Sequence, residues 1–214
     1  MNYRQPQASK RHQAVTRALV AVGSNVSLAR NPPVSVVCAA MKKLADLENA
    51  TAHFSRLYQT PAFPEGAGPD FINAALTLSW QGEAADLLTH LHWVERSFGR
   101  TRRTRWEARV MDLDLIAFGD QVLPDLETQA RWRNLPSDRA AEIAPETLIL
   151  PHPRLAERVF VLAPLADVAP DWAHPVTGLT IAEMLAALPQ AERDAITVVD
   201  PPAGALPFPP IGDT

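Results

Sequence analysis

The chain has 214 residues, 47% of them hydrophobic and 21% charged, with a formal net charge of −4 at pH 7. That length suits one domain with extensions and a real core, and the acidic balance argues against a general nucleic-acid binder. Cys38 stands alone, which excludes an internal disulfide framework and a cysteine zinc cluster; its apolar helical setting marks it as a small core residue. No stretch reaches the roughly 20 apolar residues of a transmembrane helix. The first 17 residues carry Arg4, Lys10, Arg11 and Arg17 without an acid or an apolar run. No secretory signal is therefore expected, and the chain reads as cytoplasmic.

The polar segment 1–16 reads as a flexible extension. Ala18-Leu19-Val20-Ala21-Val22 is a short apolar run with the look of a buried central strand, and Gly23-Ser24-Asn25 reads as the turn that stops it. Pro32-Pro33 and Ser35 then open a helix whose apolar face is Val36, Val37, Ala40, Met41, Leu44 and Leu47. Residues 51–58 are expected to form one strand, and 60–69 a loop, since Pro61, Pro64, Gly66, Gly68 and Pro69 interrupt regular structure. Phe71 to Trp80 alternates as a strand. A second helix runs from Ala84 to Phe98, with Gly99 as its left-handed cap.

An arginine-rich loop, 100–109, leads to a strand over Met111 to Phe118. Residues 124–147, charged and carrying three prolines, read as an excursion with a short helical turn. Leu148–Leu150 and Val159–Leu165 are short apolar runs, Ile181–Leu188 a last helix, and 191–214 a Pro-rich tail. The body, 17–190, is thus a single domain. Strand, helix, strand, strand, helix, strand is the order of a ferredoxin-like α+β unit: an antiparallel sheet, here expected to carry its helices on one side.

The chemistry begins at Asp112-Leu113-Asp114-Leu115. Alternate residues of a strand share a face, so the two carboxylates project together, roughly 6–7 Å apart at Cα. That spacing suits two oxygen-ligated cations in phosphoryl transfer. The ordinary reading of such a pair is a solvated face. Here Ile116 and Phe118 are expected to continue that face as an apolar surface, so the acids need charge partners. Six arginines lie within the fourteen residues from 96 to 109, and only three of the 20 cationic residues are lysines. Arginine offers a fork to phosphate, so metal-holding carboxylates and phosphate-holding guanidinium groups arrive in one short segment. A glycine-rich P-loop is absent from the sequence, so side chains and metal would hold any nucleotide.

The ordered set of these residues resembles the 6-hydroxymethyl-7,8-dihydropterin pyrophosphokinase family (2-amino-4-hydroxy-6-hydroxymethyldihydropteridine diphosphokinase). The match runs through Ala21-Val22-Gly23-Ser24-Asn25, Ser55-Arg56-Leu57-Tyr58-Gln59-Thr60-Pro61 and Asp70-Phe71-Ile72-Asn73-Ala74. It continues through Glu95, Gly99-Arg100, Arg105-Trp106, Arg109, the acidic strand, Pro151-His152-Pro153-Arg154, Arg158, Phe160 and Ala163-Pro164-Leu165. The resemblance implies a transferase that moves a pyrophosphoryl group from ATP to the pterin hydroxyl in folate biosynthesis, releasing AMP. It implies Asp112 and Asp114 as ligands of two Mg2+ ions, and Arg100 and Arg109 as catalytic phosphate partners. Glu95, Arg109, His152 and Arg158 would bind ATP. Thr60, Pro61 and Asn73 would read the pterin edge, with Phe71 and Phe160 on its faces. Two departures stand out: Glu107-Ala108 replace the family's Gly-Pro, and Pro153 replaces an aromatic residue.

Two other functions fit the layout less well. An RNA-binding ferredoxin-like module would carry interleaved strand aromatics that this sequence lacks. A non-catalytic pterin- or nucleotide-binding relative would have no need of both acids, His152 and Arg109. The expectation is a monomer acting on small molecules, with no nucleic-acid or membrane partner.

Overall fold

The computed structural model describes residues 14–47, 50–62, 68–99, 110–136, 139 and 143–205. The arginine-rich loop 100–109 lies outside the described residues, as do most of the N-terminal extension and the last part of the tail.

The first apolar run becomes β1, Val15–Ser24, the spine of the sheet. It pairs antiparallel with β4, Phe71–Gln81, on one side and with β5, Asp112–Phe118, on the other. Gly23 and Ser24, read as a turn, are in fact its last strand residues. The segment expected as a single strand is broken into β2, Thr51–Phe54, and β3, Leu57–Thr60, both paired with β4. The break has a local cause. Ser55 engages both backbone groups of Ala75, its N–H donating at 2.9 Å and its Oγ accepting at 2.8 Å, so a side chain enters the ladder. Thr60, expected in the loop, is the end of β3.

Two helices cover one face. α1, Pro33–Ala45, starts with a proline whose missing N–H would have gone unused, and α2, Ala84–Ser97, stops just before Gly99 at φ +80°. Val37, Met41 and Leu44 of α1 and Leu87, Leu91 and Val94 of α2 bury against Val20, Leu76 and Leu115.

The opposite face is covered as well, which corrects the one-sided layout. The run Val159–Leu165 belongs to α4, Val159–Val168, which packs with α5, Ile181–Ala187, over Leu19, Ala75 and Ile116. Neighbouring residues of β1, such as Leu19 and Val20, are both fully buried, as a strand with two covered faces requires.

The excursion contains α3, Leu126–Arg133, capped by Asp125, whose Oδ1 accepts from the Thr128 N–H at 2.8 Å. Within the span expected as a Pro-rich tail, the end of α6, Gln190–Asp194, is followed by β6, Thr197–Val199, which extends the sheet beyond β3. No helix among the described residues is long and apolar enough to cross a membrane.

Candidate active site

Register alone assembles the centre of the site. Tyr58, Asn73, Gly23 and Asp112 lie directly opposite one another across β3, β4, β1 and β5, and Ala75, Ala21 and Asp114 form the next row. Residues opposite one another in antiparallel strands share a face. Asp112 and Asp114 therefore project together, half-exposed, on the face of Asn73, while Leu113 and Leu115 bury beneath the other helices. Two strand spacings separate Asn73 from Asp112, roughly 10 Å.

The expectation that Phe118 continues the acidic face is wrong. The β1–β5 pairing steps from Val20↔Leu115 to Leu19↔Ala117, leaving Ile116 as an extra residue. Such a bulge shifts the alternation by one. Ile116 packs under α4, and Phe118 turns into the core of α1 and α2.

Gly23 makes room for the side chains of Asn73 and Phe71. A Cβ there would stand 2.8 Å from Asn73 Oδ1 and 4.0 Å from a Phe71 ring carbon. Asn73 is buried, and its amide N–H donates to Thr60 Oγ1 at 2.7 Å, which fixes the side chain. Ser24 and Asn25 tie the flanking loops to the strand end: Ser24 Oγ donates to Val110 O at 2.6 Å, and Asn25 Nδ2 to Pro69 O at 3.3 Å. Pro61 is exposed just beyond Thr60, Phe71 is half-buried at the start of β4, and Phe160 sits in the first turn of α4. The Arg158 guanidinium lies 5.7 Å from the Phe160 ring centroid.

Beside this row opens a cleft of about 570 Å³, a size typical of small-molecule sites. Its polar lining includes Glu95, Asp114, His152, Arg154 and Arg158, together with His92, Glu146 and Thr147. Glu95 is buried on α2, and its Oε1 accepts from the Leu113 N–H at 2.9 Å, which joins the helix to the start of the acidic strand. The His152 backbone N–H donates to Ile116 O at 2.8 Å, so the bulge that shifts β5 also seats the histidine. Its Nδ1 accepts from the Arg154 N–H at 3.1 Å, leaving the proton of the neutral ring on Nε2. Burial, then the charge of Arg158, holds His152 well below the usual imidazole range, with Asp112 opposing the shift. A neutral imidazole there can donate to a phosphate or a base edge from Nε2.

The structure thus brings Glu95, Asp114, His152 and Arg158 to one cleft, and Thr60, Phe71 and Asn73 to the neighbouring strand ends, with Asp112 between the two groups. Arg100 and Arg109 lie outside the described residues. Sequence reasoning quoted Gly23 and Arg154 within the family match without giving either a role in the site, and did not pick out Trp132; the surroundings of all three arise only on folding. As hard oxygen donors on one face, Asp112 and Asp114 fit a magnesium-type ion, which takes one or two carboxylates and fills its other positions with phosphate and water. Among the described residues no three His, Cys, Asp or Glu side chains form an all-protein metal cage.

Comparison with known proteins identifies the family. The family model described as 7,8-dihydro-6-hydroxymethylpterin-pyrophosphokinase (HPPK) matches residues 19–170. A 2-amino-4-hydroxy-6-hydroxymethyldihydropteridine pyrophosphokinase of Synechocystis sp. is 34% identical over 78% of this chain and 74% of its own length. A protein of the same name from Pseudomonas aeruginosa is 33% identical over 82% of this chain and 93% of its own length. Among solved structures, wild-type HPPK-DHPS of Plasmodium falciparum aligns with a TM-score of 0.56 at 14% identity, over 83% of this chain and 45% of that one. At that identity the likeness speaks for the fold, and the chain spans less than half of that longer protein. Matched along most of its length by model and relatives alike, the chain belongs to the 7,8-dihydro-6-hydroxymethylpterin-pyrophosphokinase family.

Proposed function

We propose that this protein transfers the β,γ-pyrophosphoryl group of ATP to 6-hydroxymethyl-7,8-dihydropterin, yielding the pterin diphosphate and AMP in folate biosynthesis. The observation that carries this reading is the single row Asn73–Gly23–Asp112. It spans the reach of a bicyclic heterocycle with a one-carbon arm, from a recognising amide to a carboxylate. Asn73, Thr60 and Pro61 read the pterin edge, and Phe71 and Phe160 contact its faces. Glu95, His152 and Arg158 bind the nucleotide in the cleft alongside.

The hydroxymethyl oxygen bonds to the β-phosphorus while the bond from that phosphorus to the α,β-bridging oxygen breaks, and AMP leaves with that oxygen. The hydroxyl proton passes to water or to Asp112. Asp112 and Asp114 would hold two Mg2+ ions, which when bound neutralise charge on the phosphates. Arg100 and Arg109 we assign to the phosphates on the family resemblance. Positioning supplies most of the catalysis, so the protein's own task is to align hydroxyl and phosphorus. We read the enzyme as a cytoplasmic monomer with small-molecule substrates alone.

Incubation with ATP, magnesium and the pterin, followed by nucleotide analysis, tests the reading. AMP is expected. ADP, or no pterin-dependent consumption of ATP, would refute it. Asp112→Ala and Asp114→Ala should each lower turnover by about a thousandfold or more; near-normal activity in either would remove the metal assignment.

A further inference from the structure

The cleft beside the acidic strand has two kinds of lining. One is the polar set already described. The other is apolar and includes Leu88 of α2, Trp132 of α3, Ile143 and Leu148. Trp132 and Ile143 come from the excursion 124–147, which the catalytic constellation does not use. Ile143 is 46% exposed, a large apolar side chain left at the mouth, and Trp132 is half-buried beside it.

The excursion is fastened to the cleft at two points. Gln129, fully buried on α3, donates from Nε2 to Pro151 O at 3.2 Å, immediately before His152 in the chain. Arg154, itself in the polar lining, donates from Nη1 to Leu135 O at 2.8 Å, just past the end of α3. Residues three apart on a helix lie on one face, so a Gln129 fixed against Pro151 carries Trp132 to the same side. The helix is thus locked to the strip that positions His152 and Arg154, and its indole is held against the cleft.

We propose that Trp132 is the platform on which the base of the bound nucleotide rests, so that α3 forms part of the nucleotide site. Beside the acids Glu95, Asp114 and Glu146, the cleft is lined by Arg154, Arg158 and the Trp132 indole, a set that suits a ligand with a cation-bound anionic tail and a flat heterocycle. Stacking on an indole is tolerant of base identity, because every base has a π face. The platform therefore strengthens binding of purine nucleotides generally, and base selection lies elsewhere. This assignment rests on the cleft being the nucleotide site.

Calorimetric titration of the full chain, with magnesium, against ATP, GTP, AMP and inorganic tripolyphosphate tests it. Trp132→Ala should weaken ATP, GTP and AMP by about tenfold and leave tripolyphosphate unchanged. Trp132→Phe should restore most of the loss, and matching thermal melts guard against misfolding. Unchanged ATP affinity in Trp132→Ala, or an equal loss for tripolyphosphate, would overturn the proposal. If the wild type binds nucleotides but makes no AMP with the pterin, the proposed reaction falls while the platform is judged by these affinities alone.

Discussion

At Gly23 the neighbouring strand comes so close that a single added methyl group would collide with Asn73 Oδ1. Asn73 cannot retreat easily, because its amide is held by Thr60 and buried. Gly23→Ala should therefore shift the one side chain best placed to read a pterin amide edge. Pterin affinity should fall by about tenfold or more, since a site built to hydrogen-bond loses much when its polar group is misplaced. Tripolyphosphate affinity should hold, because the cleft lies on the far side of Asp112. Titration of both ligands checks this, and unchanged pterin affinity would show that the strand spreads to accept the methyl group. The sequence makes Gly23 look like punctuation, because its real neighbour lies fifty residues away in the chain. The acids were legible for the opposite reason: alternation along one strand needs no partner. Phe118 was not, since its face depends on a bulge defined by the register with β1.

The same contrast holds for whole elements. α1 and α2 were legible because each buries one stripe, and periodicity reports a stripe. α4 was not, because Val159–Leu165 is apolar all round and a short apolar run reads alike as strand or helix. What fixes α4 is also long-range. Asp167, near its C-terminal end, accepts from the Arg56 backbone N–H at 3.0 Å, from Arg56 Nη2 at 2.8 Å and from Tyr58 Oη at 2.9 Å. Burial, and then the Asp167 charge, pushes the Tyr58 phenol above its ordinary value, so Tyr58 remains a donor throughout the working range. This latch joins β3, which ends in Thr60, to the helix whose first turn carries Phe160. Asp167→Ala should leave the phenol and the Arg56 N–H without their acceptor and cost about 2–3 kcal/mol in urea unfolding, discounted for the solvent access of Arg56. Asp167→Asn, which keeps one acceptor oxygen, should recover part of that. Equal stability of Asp167→Ala and wild type would mean that α4 is held by its apolar contacts alone.

For the molecule as a whole, the segment after α4 closes the second core and buries a histidine. Trp172 donates from Nε1 to Gly119 O at 3.1 Å, and buried His174 packs edge-on to it with ring centroids 6.0 Å apart. His174 Nδ1 accepts from the backbone N–H groups of Val176 at 3.1 Å and Thr177 at 3.4 Å. A proton on Nδ1 would face two donors. Burial, followed by the charge of Arg133, accordingly holds its pKa below 6.5 in the folded chain. The sign follows from proton binding: below about pH 6.5 the unfolded chain takes up a proton at this site that the folded chain refuses, so stability declines as the pH falls. Above that value both states are neutral and the site contributes no pH dependence. His174→Asn keeps a side-chain acceptor for the same turn and removes the titration. Its urea midpoint should therefore drop less than that of the wild type between pH 7.5 and pH 5. Parallel losses in the two proteins would assign the acid sensitivity to other groups and leave His174 a purely structural acceptor.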